Sequence, residues 1–232
     1  MKEIYAIIPA RGGSKGIKKK NIRSLKGHPL IAYSIKIAEK TNVFKRIIVS
    51  TDDDEISEYA KNYGAEVFKR SPSLAQDDTP MINVVLDVIK KLKEQNDDPE
   101  IIVLLQPTSP LRTPNFILES ISLFKSENPE SVISVCLFEH NPLWSLIIEK
   151  NRLVPLFSEE MKKTSRQQLS EVYRPNGSIY ISSPDVLQRK KSFFTSKSIP
   201  YVMPSEFSID IDTEYEFELV EFILENKNLK IL

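Results

Sequence analysis

Short apolar runs alternate with amphipathic segments up to residue 138, and this alternation restricts the possible folds more than any other feature. The apolar runs predict strands over residues 4–10, 46–51, 65–70, 101–106 and 131–138. The segments between them have the apolar spacing of helices, over residues 29–40, 53–64, 80–95 and 114–127. Strands that alternate with helices form a mostly parallel sheet that helices cover on both faces. We therefore predict an α/β fold whose ligand site lies beyond the carboxyl ends of the strands.

The alternation stops near residue 139 and returns near residue 176. We expect residues 139–175 to form an insertion, with a strand pair around 145–155 followed by a polar arm. After the insertion the sequence predicts strands over residues 176–183 and 199–204, a short helix and turn over 186–194 and a terminal helix over 213–226. The chain is therefore expected to be a single domain of residues 1–232 with a small inserted subdomain.

The charge balance and the cysteine content exclude several classes of protein. Lys+Arg and Asp+Glu are 32 each, so the formal net charge is zero, whereas a dedicated nucleic-acid binder is normally basic. The single cysteine, Cys136, excludes a disulfide framework and a four-thiolate metal site. No apolar run is long enough to span a membrane, and the N-terminal apolar segment is too short for a signal peptide. We therefore expect a cytoplasmic protein that binds neither nucleic acid nor membranes.

A basic, glycine-rich loop follows the first predicted strand, over residues 9–21 (PARGGSKGIKKKN). Its glycines allow backbone N–H groups to approach an anion closely, and cations such as Arg11, Lys15 and Lys20 neutralise negative charge. These features indicate a polyphosphate site, and a solvated basic loop is the alternative. The spacing is neither G-x-G-x-x-G nor G-x-x-x-x-G-K-[ST], so a dinucleotide fold or an ATPase P-loop is not supported.

An acidic pair lies near the other end of the chain, in SIDIDTE (208–214). Asp210 and Asp212 are two residues apart, so on an extended segment both carboxylates point to the same face. Two hard oxygen ligands suit Mg²⁺, which takes one or two carboxylates together with substrate phosphates. The alternative is that both residues only provide negative charge at the N-terminus of the last helix. We expect the basic loop and the acidic pair to meet around one triphosphate.

Two further polar segments could bind a second substrate. In LLQPTSPLRT (104–113), Gln106, Thr108, Ser109 and Arg112 follow a central strand and could hold a polyhydroxylated molecule, although simple turn chemistry is the alternative. The segment SRQQLSEVYRPNGSIYI (165–181) offers arginines that can pair a carboxylate and side chains that form hydrogen bonds. Its arginines are Arg166 and Arg174, and its other candidates are Asn176 and Tyr180. Surface arginines are often merely solvated, so this segment is the less specific of the two.

Taken in order, IIPARGGSKG, KKKN, LLQPTSPLRT, RPNGSIYI and SIDIDTE resemble the acylneuraminate cytidylyltransferase family over residues 4–222. The resemblance implies a Rossmann-like nucleotidyltransferase fold with an inserted dimerisation subdomain. It also implies a homodimer that uses Mg²⁺ to convert CTP and a nine-carbon α-keto acid sugar (a nonulosonic acid) to the CMP-sugar and pyrophosphate. Alternatives are a synthetase for legionaminic or pseudaminic acid, an eight-carbon Kdo enzyme, or a non-catalytic nucleotide-binding module.

The resemblance also assigns roles to residues of this sequence. It makes Arg11, Lys15, Asp210 and Asp212 catalytic, with both aspartates as Mg²⁺ ligands. The nucleotide-binding residues would be Ala10, Arg11, Gly12, Gly13, Ser14, Lys15, Lys20, Asn21 and, beside the cytosine, Arg70. The sugar-binding residues would be Gln106, Thr108, Ser109, Arg174, Asn176, Tyr180, Phe193 and Phe194, with Arg166 and Gln167 reaching the partner subunit's site. Some family members carry Lys in place of Trp144 and a hydroxyl in place of Met81, for which Thr79 is a possible substitute.

Overall fold

The computed structural model describes residues 3–14, 16–157 and 169–226. The strands are β1 (Ile4–Pro9), β2 (Ser24–Leu25), β3 (His28–Pro29), β4 (Arg46–Thr51), β5 (Glu66–Lys69), β6 (Ile101–Leu105), β7 (Ser131–Leu137), β8 (Leu146–Glu149), β9 (Arg152–Pro155), β10 (Tyr173–Ser182) and β11 (Ser198–Val202). The helices are α1 (Leu30–Thr41), α2 (Asp54–Asn62), α3 (Met81–Glu94), α4 (Pro114–Glu127), α5 (Pro184–Lys190) and α6 (Glu214–Asn226). Within the described ranges, no helix has the length and apolar character needed to cross a membrane.

The central sheet has the order β11-β7-β10-β6-β1-β4-β5. Its neighbouring strands run parallel except for β10, which is antiparallel to both β6 and β7. This arrangement confirms the predicted α/β class with a mostly parallel sheet. Strand β10 begins three residues before the predicted 176, because Tyr173, Arg174 and Pro175 pair with the end of β7. Their sequence lacks an apolar run, so only the pairing reveals them as strand.

The centre of the sheet is buried on both faces. Along β1, Ala6 and Ile8 pack on one face and Tyr5 and Ile7 on the other, because successive side chains of a strand point in opposite directions. Helices α1, α4 and α6 contribute to the first core, whereas α3 and α5 contribute to the second. A central strand that is apolar throughout is stable only between two such layers of helices.

Strands β8 and β9 form a separate antiparallel hairpin within residues 139–175. The hairpin exposes large apolar side chains, among them Ile148 and Leu153, which are 75% and 67% exposed. The polar arm expected after the hairpin includes Arg166 and Gln167, which lie outside the described residues.

Candidate active site

A cleft of about 260 Å³ opens beyond the carboxyl ends of β1 and β6, as the topology predicts. Its walls combine predicted nucleotide-binding, sugar-binding and metal-binding residues. The predicted residues that line it are Arg11, Ser14, Lys20, Asn21, Arg70, Gln106, Thr108 and Asp212. Pro9, Gly16, Met81 and Pro107 complete the lining. Lys15 lies outside the described residues.

The basic loop and the acidic segment meet in this cleft. The ammonium group of Lys20 donates hydrogen bonds to the carbonyl of Ile211 at 2.7 Å and to Oδ1 of Asp212 at 2.9 Å. Gly16 lies so close to the carbonyl of Asp212 that no Cβ could be added to it without a displacement. These contacts join residues 192 positions apart in the chain and confirm the expected meeting of the two motifs.

Asp210 has the environment of an unsatisfied ligand. Its Oδ1 atom is buried and has no hydrogen-bond partner among the described residues. Burial raises the pKa of Asp210; a hydrogen bond from the Thr108 side chain to this carboxyl opposes the increase, and the carboxylate of Asp212 adds to it. The backbone N–H of Ile211 donates to the carbonyl of Thr108 at 2.8 Å, which fixes the segment between the two aspartates against the turn after β6.

These two carboxylates fit a hard divalent cation. A buried oxygen without a partner is costly, and a cation would satisfy it. The described residues contain no group of three or more His, Cys, Asp or Glu side chains that could hold a metal alone. A cation at Asp210 and Asp212 would therefore need further oxygen ligands from a bound substrate, which is the usual pattern for Mg²⁺ with phosphates.

The cleft contains two guanidinium groups in different environments. Arg11 forms an ion pair with Asp77, with Nη2 and Oδ1 2.7 Å apart. Arg70 is buried, and its Nη2 donates to the carbonyl of Ser50 at 2.7 Å. Burial lowers the pKa of Arg70 because it disfavours the charged form. Arg70 is thus held rigidly at the wall of the cleft, whereas Arg11 is half-buried and paired with an exposed acid.

Several loop residues have internal partners in this structure. The N–H of Ala10 donates to the carbonyl of Ser50 at 2.9 Å, and the N–H of Gly12 donates to Oδ1 of Asp52 at 3.1 Å. The buried amide of Asn21 donates to the carbonyl of Arg11 at 2.9 Å. Ala10, Gly12 and Asn21 therefore shape the loop here, and their contact with a nucleotide stays a prediction.

The sugar-binding candidates meet the acidic segment at a turn in β10. The pairing of β10 with β7 shifts between Pro175 and Tyr180, and Gly177 within this shift has a φ of 73°. A Cβ at Gly177 would lie 2.8 Å from Oε1 of Gln106 and 2.9 Å from Oδ2 of Asp210. Only glycine combines this positive φ with such a close approach, and its presence brings Gln106 and Asp210 together.

Tyr180 is the centre of a small aromatic cluster. Its ring centroid lies 5.6 Å from that of Phe193 and 6.3 Å from that of Phe194. Burial raises the pKa of Tyr180, and the negative charge of Asp210 adds to the increase. The phenol is therefore neutral near pH 7 and close to the acidic segment, with the exposed Phe194 at the edge of the cluster.

Asn176 and Ser109 differ from the expectation that they line the sugar pocket. Asn176 is completely buried; its amide donates to Oγ of Ser208 at 2.9 Å and accepts a hydrogen bond from Oγ of Ser134 at 2.6 Å. Ser109 is also buried, and its hydroxyl donates to the carbonyl of Asn176 at 3.3 Å. Interior polar groups must find partners within the protein, and these hydrogen bonds hold the turn in β10 in place.

Arg174 has a weaker internal contact. Its guanidinium donates to the carbonyl of Ser208 at 3.3 Å while the side chain remains half-buried. This position is compatible with a second partner, and pairing with a substrate carboxylate stays a prediction.

Asp77 and Gly177 also lie at the site, although neither was predicted from the sequence to do so. Asp77 lies in an exposed loop, and nothing in its local sequence indicates that it faces Arg11. The glycine in RPNG was a usable signal, because an isolated glycine within a strand pattern marks a bulge or a close approach.

The model of the cytidylyltransferase family matches residues 5–231, and the chain belongs to this family. It is 38% identical over 232 residues to the CMP-N,N'-diacetyllegionaminic acid synthase of Campylobacter jejuni, covering 99% of this chain and 98% of that protein. It is also 37% identical over 214 residues to an N-acylneuraminate cytidylyltransferase of Streptococcus agalactiae, covering 91% of this chain and 51% of that longer protein. Among solved structures, CMP:2-keto-3-deoxy-manno-octonic acid synthetase complexed with CTP superposes with a TM-score of 0.71 at 16% identity, covering 97% of this chain and 99% of that one. The fold is therefore the Rossmann-like fold of nucleotidyltransferases that use CTP.

Proposed function

We propose that this protein transfers CMP from CTP to the anomeric hydroxyl of a nonulosonic acid and releases pyrophosphate. The observation that carries the proposal is the meeting of a basic, glycine-rich loop with Asp212 in one cleft, with the largely buried Asp210 two residues before it. The family relationship supports the chemistry, since the two curated relatives described above are named for CMP-legionaminic acid synthesis and N-acylneuraminate cytidylyl transfer.

The chain's own residues supply charge and position for an in-line displacement. The anomeric hydroxyl oxygen forms a bond to the α-phosphorus while the bond from that phosphorus to the bridging oxygen breaks. Pyrophosphate leaves with the bonding electrons, and the hydroxyl proton passes to a base, for which Asp210 is a candidate. Catalysis of such a step consists mainly of positioning and charge stabilisation. Arg11 and Lys20, together with Lys15, would neutralise the triphosphate and the leaving pyrophosphate.

Mg²⁺ is proposed as the cofactor, with Asp210 and Asp212 as its protein ligands. When bound, it would neutralise charge on the phosphate oxygens. In this structure the ammonium group of Lys20 donates to Asp212, so this carboxylate already has a positively charged partner. Gln106 and Tyr180 would orient the sugar beside the acidic segment.

A homodimer is proposed because the β8–β9 hairpin exposes a large apolar surface that a second copy of the chain could cover. Light scattering coupled to size exclusion is expected to give twice the chain mass of 26.6 kDa. The double variant Ile148→Ser with Leu153→Ser is expected to give a folded monomer, because both side chains are exposed in the isolated chain. A wild-type monomer would refute this part of the proposal. The expected location in the cytoplasm stays a prediction.

The test of the main proposal is pyrophosphate release with CTP and Mg²⁺ against N-acetylneuraminic, legionaminic, pseudaminic and Kdo acids. We expect turnover with at least one nonulosonic acid and little with Kdo, and a preference for CTP over ATP, GTP and UTP. Tight CTP binding without turnover on any sugar would instead support a non-catalytic nucleotide-binding module. Turnover with another nucleotide and a different sugar would indicate a different pyrophosphorylase.

A further inference from the structure

Arg112 is a buried cation held by hydrogen bonds to neutral oxygens, and the nearby negative charge of Asp210 offsets part of the effect of burial on its pKa. Its side chain is completely buried, and among the described residues it forms no ion pair with a carboxylate. Burial lowers the pKa of Arg112 to about 9, so the guanidinium still carries its charge at neutral pH. Burying a charge is costly unless hydrogen bonds compensate for it. The hydrogen bonds of this guanidinium therefore indicate which parts of the fold it holds together.

The guanidinium connects three parts of the fold around the site. Nη1 donates to the carbonyl of Ser178 in β10, and Nη2 donates to the carbonyl of Gln106 after β6. Nη2 also donates to the hydroxyl of Ser34 in α1 at 2.9 Å. The hydroxyl of Ser34 also donates to the carbonyl of Gln106 at 3.4 Å, so helix α1 helps to hold this carbonyl.

The carbonyls of Gln106 and Ser178 both lie next to the close approach of Gln106 and Asp210 at Gly177. Ser178 follows Gly177 directly, and a Cβ added to Gly177 would lie within 3.0 Å of both Oε1 of Gln106 and Oδ2 of Asp210. A small shift of either backbone segment would therefore move the Gln106 side chain away from the acidic segment. A guanidinium presents its donors in a rigid planar fork, so it holds both carbonyls in one defined geometry.

We propose that Arg112 is a positioning residue for the sugar half of the reaction, which acts by fixing Gln106 against the turn at Gly177 and does not touch substrate. The inference rests on the proposed function, in which Gln106 contacts the sugar. CTP binds against the loop on the other wall of the cleft, so its binding does not depend on this contact.

Arg112→Lys keeps the charge but removes the fork of donors. We expect the KM for the sugar to rise by about 10- to 100-fold, as for an angstrom-scale misplacement, with the KM for CTP within about twofold of wild type. Ser34→Ala, which retains the arginine, is expected to change the sugar KM in the same direction by a smaller factor. Leu92→Ala is the matched control, because this buried leucine lies at the far end of α3 and its loss weakens the fold without touching the site. It should lower the active fraction and leave both KM values unchanged.

A double-mutant cycle with Gln106→Ala tests the route of the effect. If Arg112 acts through Gln106, the double variant should have nearly the same kcat/KM for the sugar as Gln106→Ala alone. Effects that multiply, or kinetics of Arg112→Lys that match those of Leu92→Ala, would overturn the inference while wild-type activity stands. A wild type that is inactive on every sugar would overturn the proposed function and this inference together.

Discussion

Replacing Gly16 with alanine tests the contact on which the proposed site depends. The backbone at Gly16 is outside the left-handed region, so alanine is conformationally acceptable there. The new Cβ would nevertheless lie well within 3.0 Å of the carbonyl oxygen of Asp212, and real Cβ atoms do not approach that closely. The atom in the way belongs to the backbone, so a side-chain rotation cannot relieve the clash.

The size of the effect follows from the distance that must open. The basic loop and the acidic segment would have to separate by roughly 1 Å, and a misplacement of that size costs about 100-fold in rate. A factor of 100 in kcat/KM corresponds to about 2.7 kcal/mol of lost transition-state stabilisation. The overpacking itself would reduce the free energy of unfolding by about 1–3 kcal/mol.

The assay measures kcat/KM for CTP in pyrophosphate release, together with urea unfolding of the same samples. Gly13→Ala is the matched control, since it adds the same methyl group to the same loop where no heavy atom lies within 4 Å. Gly13 is itself a predicted nucleotide-binding residue, but the added methyl group leaves its backbone N–H in place, so its loss of kcat/KM is expected to stay within about threefold. Equal activities of the two variants would refute the reasoning, because the loop would then not need its close approach to Asp212.

Three further predictions concern other contacts of the site. Asp77→Asn removes the ion pair that competes for Arg11, so it should tighten CTP binding by about two- to fivefold in low salt. Calorimetry should show a smaller gain at high salt, because salt screens the pair. Weaker CTP binding by the variant would contradict this prediction. Asn176→Ala leaves the hydroxyl of Ser134 without its buried acceptor, so it should lower the free energy of unfolding by about 1–3 kcal/mol. Unchanged stability together with a raised KM for the sugar would show that Asn176 contacts the sugar instead. Asp212→Asn should reduce Mg²⁺-dependent pyrophosphate release about 100-fold or more, because one negative charge is lost where the cation is expected. CTP binding should stay measurable. Near-normal pyrophosphate release would exclude Asp212 as a ligand of the cation.

The differences between sequence and structure have a common cause. The cations and carboxylates of the cleft could be selected as candidates from local motifs, because each set is clustered within a short stretch of the sequence. The internal partners of Asn176 could not be predicted, because the same amide can face a substrate or the interior, and its neighbours Ser134 and Ser208 come from distant segments. Asp77 was missed for the same reason, since its partner Arg11 is supplied by another loop.

The sequence alone determined the layers of the fold and the chemical types at its functional edge, because apolar periodicity and clusters of like residues are local properties. Only the tertiary structure decided which of those residues meet. The approach of Gln106 and Asp210 at Gly177 lies within the register shift of β10. The contact between Lys20 and Asp212 and the burial of Arg112 likewise bring together distant parts of the chain. Such contacts join segments far apart in the chain, and no short stretch of sequence contains the information that specifies them.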